Sequence, residues 1–137
     1  MPAPTDLLRR VPLFEGLGDR DFKRLSEVFK PRTFATGDTI ATEGQKGVGF
    51  FVIESGEAKV TVRGKEVASL GAGDFFGEIA LIDDGARTAT VTAATQLQCY
   101  GLTSWEFRPL VEENASIAWE LLQVLARRLR EAQERAG

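Results

Sequence analysis

The residues best suited to chemistry stand in one stretch, FFGEIALIDDGARTA, from Phe75 to Ala89. Its GEIALI portion reads as one short helical turn between two strands. The first N–H groups of such a turn have no partner inside it. They form a ready anion site, and Gly77 lets the backbone come close to a ligand. Arg87 adds a guanidinium, which can hold phosphate oxygens through two parallel hydrogen bonds. Thr88 adds a hydroxyl. Glu78 would repel a phosphate, but an ionised carboxylate accepts hydrogen bonds and can read a hydroxyl. Two opposite charges flanking a short loop can equally form an exposed ion pair, which contributes only ~0–1 kcal/mol. Asp83 and Asp84 look like half of a divalent-metal site, but no third ligand stands near them in sequence. A solvated loop tip accounts for them.

If Glu78 and Arg87 hold one ligand, its hydroxyl and its phosphate must lie close together. A cyclic nucleotide has that geometry, with the phosphate fused to the ribose beside a free 2′-hydroxyl. Composition leaves few rivals. The chain has 137 residues and no histidine, which removes the commonest general base and the commonest metal ligand. Cys99 is the sole cysteine, so neither an intrachain disulfide nor a thiol metal cluster can form. A half-buried strand thiol is expected there. The net charge of -3 supplies no global attraction for nucleic acid. In the basic tail RRLRE, Glu131 and Glu134 interleave with the arginines, as on a solvated helix face. No apolar run resembles a signal peptide or spans a membrane, and a cytoplasmic protein is the expectation.

Three groups of elements must position these residues. Residues 1–31 read as helical. Thr5 is the expected N-cap of a first helix that Pro12 interrupts. Phe22, Leu25, Val28 and Phe29 form one apolar face of a second, opened by Gly18 or Asp19 and ended before Pro31. Residues 32–102 read as short strands broken by glycine turns. Ala58, Val60 and Val62 alternate with Lys59 and Thr61, and RTATVTAAT and LQCYGL supply two further strands. Regular short strands of this kind argue for an antiparallel sandwich, barrel or roll. Residues 103–137 return to helix. Thr103 or Ser104 is the N-cap with Glu106 in the capping-box position, and Asn114 divides two helices. On the second, Ala118, Leu122, Leu125, Leu129 and Ala132 recur at spacings of four and three, widened by Leu121 and Val124. Such a stripe packs on a core or forms the seam of a two-helix dimer. One domain over 1–137 accounts for the chain.

The stretch GDFFGEIALIDDGARTATV resembles the phosphate-binding cassette of cyclic nucleotide-binding domains. This family includes bacterial catabolite-activator proteins, kinase regulatory subunits and cyclic-nucleotide-gated channels. LFEGLGDRDFKRLSEVF is similar to the family's helical entry, and GDTIATEGQKGVGFFVIESGEAKV to its first roll strands, with Gly56 at a tight turn. The resemblance implies an α+β, mainly β fold: an antiparallel β-roll (a double-stranded β-helix, or jelly roll) flanked by N-terminal helices and a long C-terminal helix. It places the cassette at 75–89 and hinge and lid helices at 103–137. It also implies that Glu78 accepts from the ribose 2′-hydroxyl and that Arg87 pairs with the cyclic phosphate. Backbone groups around Gly77, Ile79, Ala80, Thr88 and Ala89 donate to ligand oxygens. Val60, Val67 and Phe76 are candidates beside the base, and Trp119, Leu122 or Leu125 for a lid over it.

The expected ligand is cAMP, with cGMP as the alternative because Thr88 fits either purine. The expected function is a sensor that relays binding through its C-terminal helix to a protein partner or to a second copy. It needs no cofactor. Two other classes compete. A metal-dependent cupin enzyme needs histidine ligands that are absent. A roll-shaped scaffold without ligand, or a cGMP-binding domain excised from a larger protein, is the other alternative. The scaffold is expected to have lost Glu78 or Arg87, and both are present. Transcription factors of the family carry a helix-turn-helix after the long helix. Here the sequence ends at Gly137, so direct nucleic-acid binding is not expected.

Overall fold

The computed structural model describes residues 3–46, 49–83 and 85–136. Met1, Asp84 and Gly137 lie outside the described residues. The chain begins with helix α1 (Thr5–Leu8), a 3-10 turn at Pro12–Phe14 and helix α2 (Asp19–Val28). Thr5 is the first helical residue of α1, and the extended cap position falls to Pro4. Gly18 caps α2, which buries Phe22 and Leu25.

Strands follow: β1 (Lys30–Phe34), β2 (Thr39–Ala41), β3 (Gly49–Ser55), β4 (Ala58–Val62), β5 (Lys65–Leu70), β6 (Phe75–Phe76), β7 (Thr90–Ala93) and β8 (Leu97–Thr103). They form two antiparallel four-stranded sheets, ordered β1-β8-β3-β6 and β2-β7-β4-β5. This is the α+β, mainly β roll that the sequence implied. Two boundaries differ from expectation. The first strand opens at Lys30 and includes Pro31. Strand β1 is an edge strand bonded only to β8, where a missing N–H is tolerated. The expected strand RTATVTAAT starts only at Thr90, so Arg87, Thr88 and Ala89 are loop.

The apolar run of β3 faces two cores at once. Phe50 and Val52 join the helix-side core with Phe14, Phe22, Leu25, Phe29 and Leu102. Phe51 and Ile53 join the core between the sheets with Ala41, Val91, Leu97 and Cys99. A strand covered on both faces loses the polar alternation of a half-exposed one. Phe50 meets Phe14, Phe29 and Phe75 edge-on at centroid distances of 5.9, 5.9 and 6.1 Å. Gly56 makes the tight turn before β4. It sits at φ +96°, and a Cβ there would overlap the carbonyl of Gln96.

Helices α3 (Ser104–Glu113) and α4 (Ala115–Ala136) end the fold. Thr103 caps α3 in a full capping box with Glu106, as its sequence indicated. Helix α4 packs on the Pro12–Phe14 turn and on α3, through the edge of the expected stripe that Leu121 and Val124 form. It buries Ile117, Leu121 and Val124. Leu122 and Leu129 are 57% and 60% exposed, while Leu125 lies at the core's edge. The docked face is centred on that edge of the stripe rather than on its middle. Cys99 is fully buried rather than half-buried, and burial raises its thiol to about 11.

Candidate functional site

The segment after β6 is anchored by two adjacent side chains pointing opposite ways. Phe75 packs against the helix-side core and Phe76 against the inter-sheet core, where Phe76 stacks on Phe51 at 5.4 Å. Leu81 is buried and pins the far end. Between them Glu78–Leu81 form one 3-10 turn whose N-cap is Gly77, at φ +87°. Ile79 is 45% exposed and does not help to pack the loop. The N–H of Ala80 is committed to the Gly77 carbonyl at 3.0 Å. Among the described residues, no protein acceptor engages the N–H groups of Glu78, Ile79, Thr88 or Ala89.

Arg87 is held from the opposite side. Its N–H donates to the Gln45 carbonyl at 2.8 Å, and its own carbonyl accepts from Gly44 at 2.9 Å. This clamps the backbone to the turn after β2. The guanidinium donates through Nη2 to the Gly49 carbonyl. Its Nε is buried without a hydrogen-bond partner among the described residues. Burial lowers the Arg87 pKa, and the charge of Glu78 opposes that shift. Gly77 makes this placement possible. A Cβ there would overlap Arg87 Nη1 and lie 2.7 Å from the Gly49 carbonyl. The glycine thus makes room for the cation, a requirement that its place in the sequence did not reveal.

A cavity of about 420 Å³ opens between the two segments, within the usual size for a small-molecule site. Gly77, Glu78, Ile79 and Ala80 line one wall, and Arg87, Thr88 and Ala89 another. Phe76, Val60, Ala41 and Val91 add apolar surface. The structure brings these sequence candidates together. Others lie elsewhere: Val67 is 60% exposed on β5, Trp119 is 61% exposed on α4, and neither they nor Leu122 and Leu125 line the cavity. Asp83 lies at the rim, where its Oδ1 accepts from the Gly85 N–H at 3.1 Å. Among the described residues no cluster suited to a metal is present.

Glu78 and Arg87 share the cavity without pairing directly. The ion pair of Glu78 is with Arg128 of α4, Nη2 to Oε1 at 3.7 Å. Neither Arg128 nor Gly49 stood out in the sequence, because each is tied to the site only through the tertiary fold. Nothing in the local pattern marks either one.

A family model described as "Cyclic nucleotide-binding domain" matches residues 31–114. The cAMP-dependent protein kinase regulatory subunit of Yarrowia lipolytica is 40% identical over 106 residues, 76% of this chain and 28% of that protein. The CRP-like cAMP-activated global transcriptional regulator of Mycobacterium tuberculosis is 32% identical over 130 residues, 91% of this chain and 58% of that protein. The chain therefore spans between about a quarter and three-fifths of these relatives. Among solved structures, the N-terminal domain of a transcriptional regulator from Streptomyces coelicolor superposes with a TM-score of 0.87 at 34% identity, covering 94% of this chain and 96% of that one. The chain belongs to the cyclic nucleotide-binding domain family, a regulatory module rather than an enzyme.

Proposed function

We propose that the cavity between Gly77–Ala80 and Arg87–Ala89 binds a 3′,5′-cyclic nucleotide, cAMP in the first instance. The carrying observation is that Glu78 and Arg87 line one cavity without pairing with each other. Arg87 keeps a buried Nε without a partner, and a buried donor left unmade is costly. A phosphate oxygen supplies the missing acceptor. Glu78 takes the ribose 2′-hydroxyl, and the N–H groups of Ile79, Thr88 and Ala89 reach the remaining oxygens. The base lies toward Val60, Val91 and Phe76. Ligand binding is relayed to α4, whose exposed Leu122 and Leu129 offer a seam for a second copy or another protein. The ligand shifts α4 only by its differential affinity for the two helix positions.

The test is calorimetric titration of the full chain with cAMP and cGMP. Micromolar or tighter binding of cAMP is expected. Binding of neither nucleotide in that range would overturn the reading, and tighter cGMP binding would reassign the purine.

A further inference from the structure

We propose that Glu43, in the turn after β2, is a positioning residue for the base: its carboxylate holds the β4–β5 hairpin, and with it the apolar wall of the cavity, in place. The inference rests on the cyclic-nucleotide reading of that cavity. Val60 and Val91 stand opposite each other on β4 and β7, and both line the cavity. Strand β7 begins only at Thr90, which pairs with Thr61. The hairpin from Val62 to Lys65 therefore projects past β7 as two strands alone. A two-stranded ribbon is marginal by itself. This one also carries a register shift between Val60 and Thr61, and an irregularity of that kind bends and twists a strand. The wall beside the base thus adjoins the least supported part of its sheet.

Glu43 supplies the support from outside the cavity, which it does not line. Its Oε1 accepts from the Arg63 N–H at 2.9 Å, at the tip of the hairpin. Among the described residues Arg63 is the one non-glycine at positive φ, +53°, a conformation that its surroundings must hold. Gly64 follows at φ +80°. Two successive left-handed residues make the tight turn that suits the twist of a hairpin. The Glu43 N–H donates to Thr90 Oγ1 at 3.0 Å. One residue therefore grips the end of β7 through its backbone and the free hairpin tip through its side chain.

The same turn holds the phosphate end by other means. Gly44 and Gln45 bond the two backbone groups of Arg87, and Lys46 forms a bridge with Ala86. None of these contacts uses the Glu43 side chain. Removing that side chain frees the hairpin and leaves the backbone clamp on Arg87 intact. The loss then falls on contacts to the base and spares those to sugar and phosphate. Holding a wall in its bound shape removes an ordering cost from binding.

The test titrates cAMP and a base-free ligand, methyl riboside 3′,5′-cyclic phosphate, into the full chain and into Glu43→Ala, Glu43→Asp and Glu43→Gln. Burying a base on apolar side chains separates the two ligands by roughly tenfold or more in the wild type. Glu43→Ala is expected to narrow that ratio by about threefold or more and to leave the base-free ligand within about twofold of its wild-type affinity. Glu43→Asp keeps the charge but is one methylene too short, and is expected to behave like Glu43→Ala. Glu43→Gln keeps an oxygen acceptor at full length and is expected to hold the ratio within about twofold of the wild type. A wild-type ratio in either Glu43→Ala or Glu43→Asp overturns the positioning role. An equal loss for both ligands also overturns it, because the effect would then belong to the fold or to Arg87. A narrowed ratio in Glu43→Gln assigns the effect to charge and overturns the hydrogen bond. If Glu43→Ala does not fold, Glu43→Asp and Glu43→Gln carry the comparison. Equal wild-type affinity for the two ligands removes the base contact and the role with it. A wild type that binds neither ligand overturns the cyclic-nucleotide reading itself, and that result is distinct from binding without the predicted change in ratio.

Discussion

Arg87 and Gly77 act as one unit. The guanidinium occupies the space that a side chain at Gly77 would fill, and Gly77 adopts a left-handed conformation that other residues resist. Two outcomes follow at this scale. Arg87→Ala should weaken cAMP binding by about 2–5 kcal/mol in calorimetry, because a buried phosphate charge loses its partner; wild-type affinity would refute the assignment. Gly77→Ala should cost about 1–3 kcal/mol in backbone strain, read by denaturant unfolding, and should weaken nucleotide binding by displacing Arg87. Glu78, Arg87 and Thr88 were legible in the sequence as candidates because they stand close along the chain, and the structure brings all three to one cavity. Gly49 and Arg128 were not legible, since their link to the site passes through strand β3 and helix α4. Thr88 shows the converse: it was visible as a candidate, but a place in a strand was the competing reading, and the structure puts it in a loop at the cavity wall.

At the level of elements, caps and turns were easier to read than helix faces. Thr103 and Glu106 announced the start of α3 by their spacing, and the capping box is present. Lys30 adds an ion pair to Glu106 Oε2 at 2.7 Å. Burial alone would raise the Glu106 carboxyl, but hydrogen bonds from Lys30 and Thr103, with the charge of Lys30, outweigh it and hold the group below its usual range. A lowered native value stabilises the fold above the ordinary glutamate range, and this contribution is lost as pH falls through the native value. Thr103→Ala should cost about 1 kcal/mol by chemical denaturation near neutral pH. Glu106→Gln should flatten the acid limb of the stability profile, and an unchanged acid limb would count against the pair. The docked face of α4 was legible only in part, for a definite reason. Spacings of four and three fit the row through Leu122 and Leu129 as well as the row through Ile117, Leu121 and Val124. Only the position of the Pro12–Phe14 turn decides which row is buried.

Across the whole molecule, strand β3 joins two cores, so the cassette is anchored on both sides of one sheet through Phe75 and Phe76. The roll was legible from its glycine turns and short strands. The division into two cores was visible only as an unbroken apolar run, which also fits a buried helix. The exposed stripe on α4 belongs to this scale. If it pairs with a second copy, sedimentation equilibrium at tens of micromolar should give a dimer. Leu122→Glu with Leu129→Glu should then give a monomer whose unfolding midpoint no longer depends on protein concentration, because both side chains are exposed in the single chain. A monomeric wild type would remove the second-copy reading and leave another protein as the partner. Among the described residues, no helix is long and apolar enough to cross a membrane.

The chain has only two tryptophans, Trp105 on α3 and Trp119 on α4, and they are 64% and 61% exposed. The roll contributes no indole, so the protein carries its own optical label on α4, the helix proposed to move, and on α3 beside it. Emission excited at the red edge of indole absorption ignores the cavity and reports only how those helices are solvated. A blue shift that follows cAMP occupancy would record helix closure without an attached dye, and a flat signal at saturation would mean that nucleotide binding leaves the solvation of both indoles unchanged.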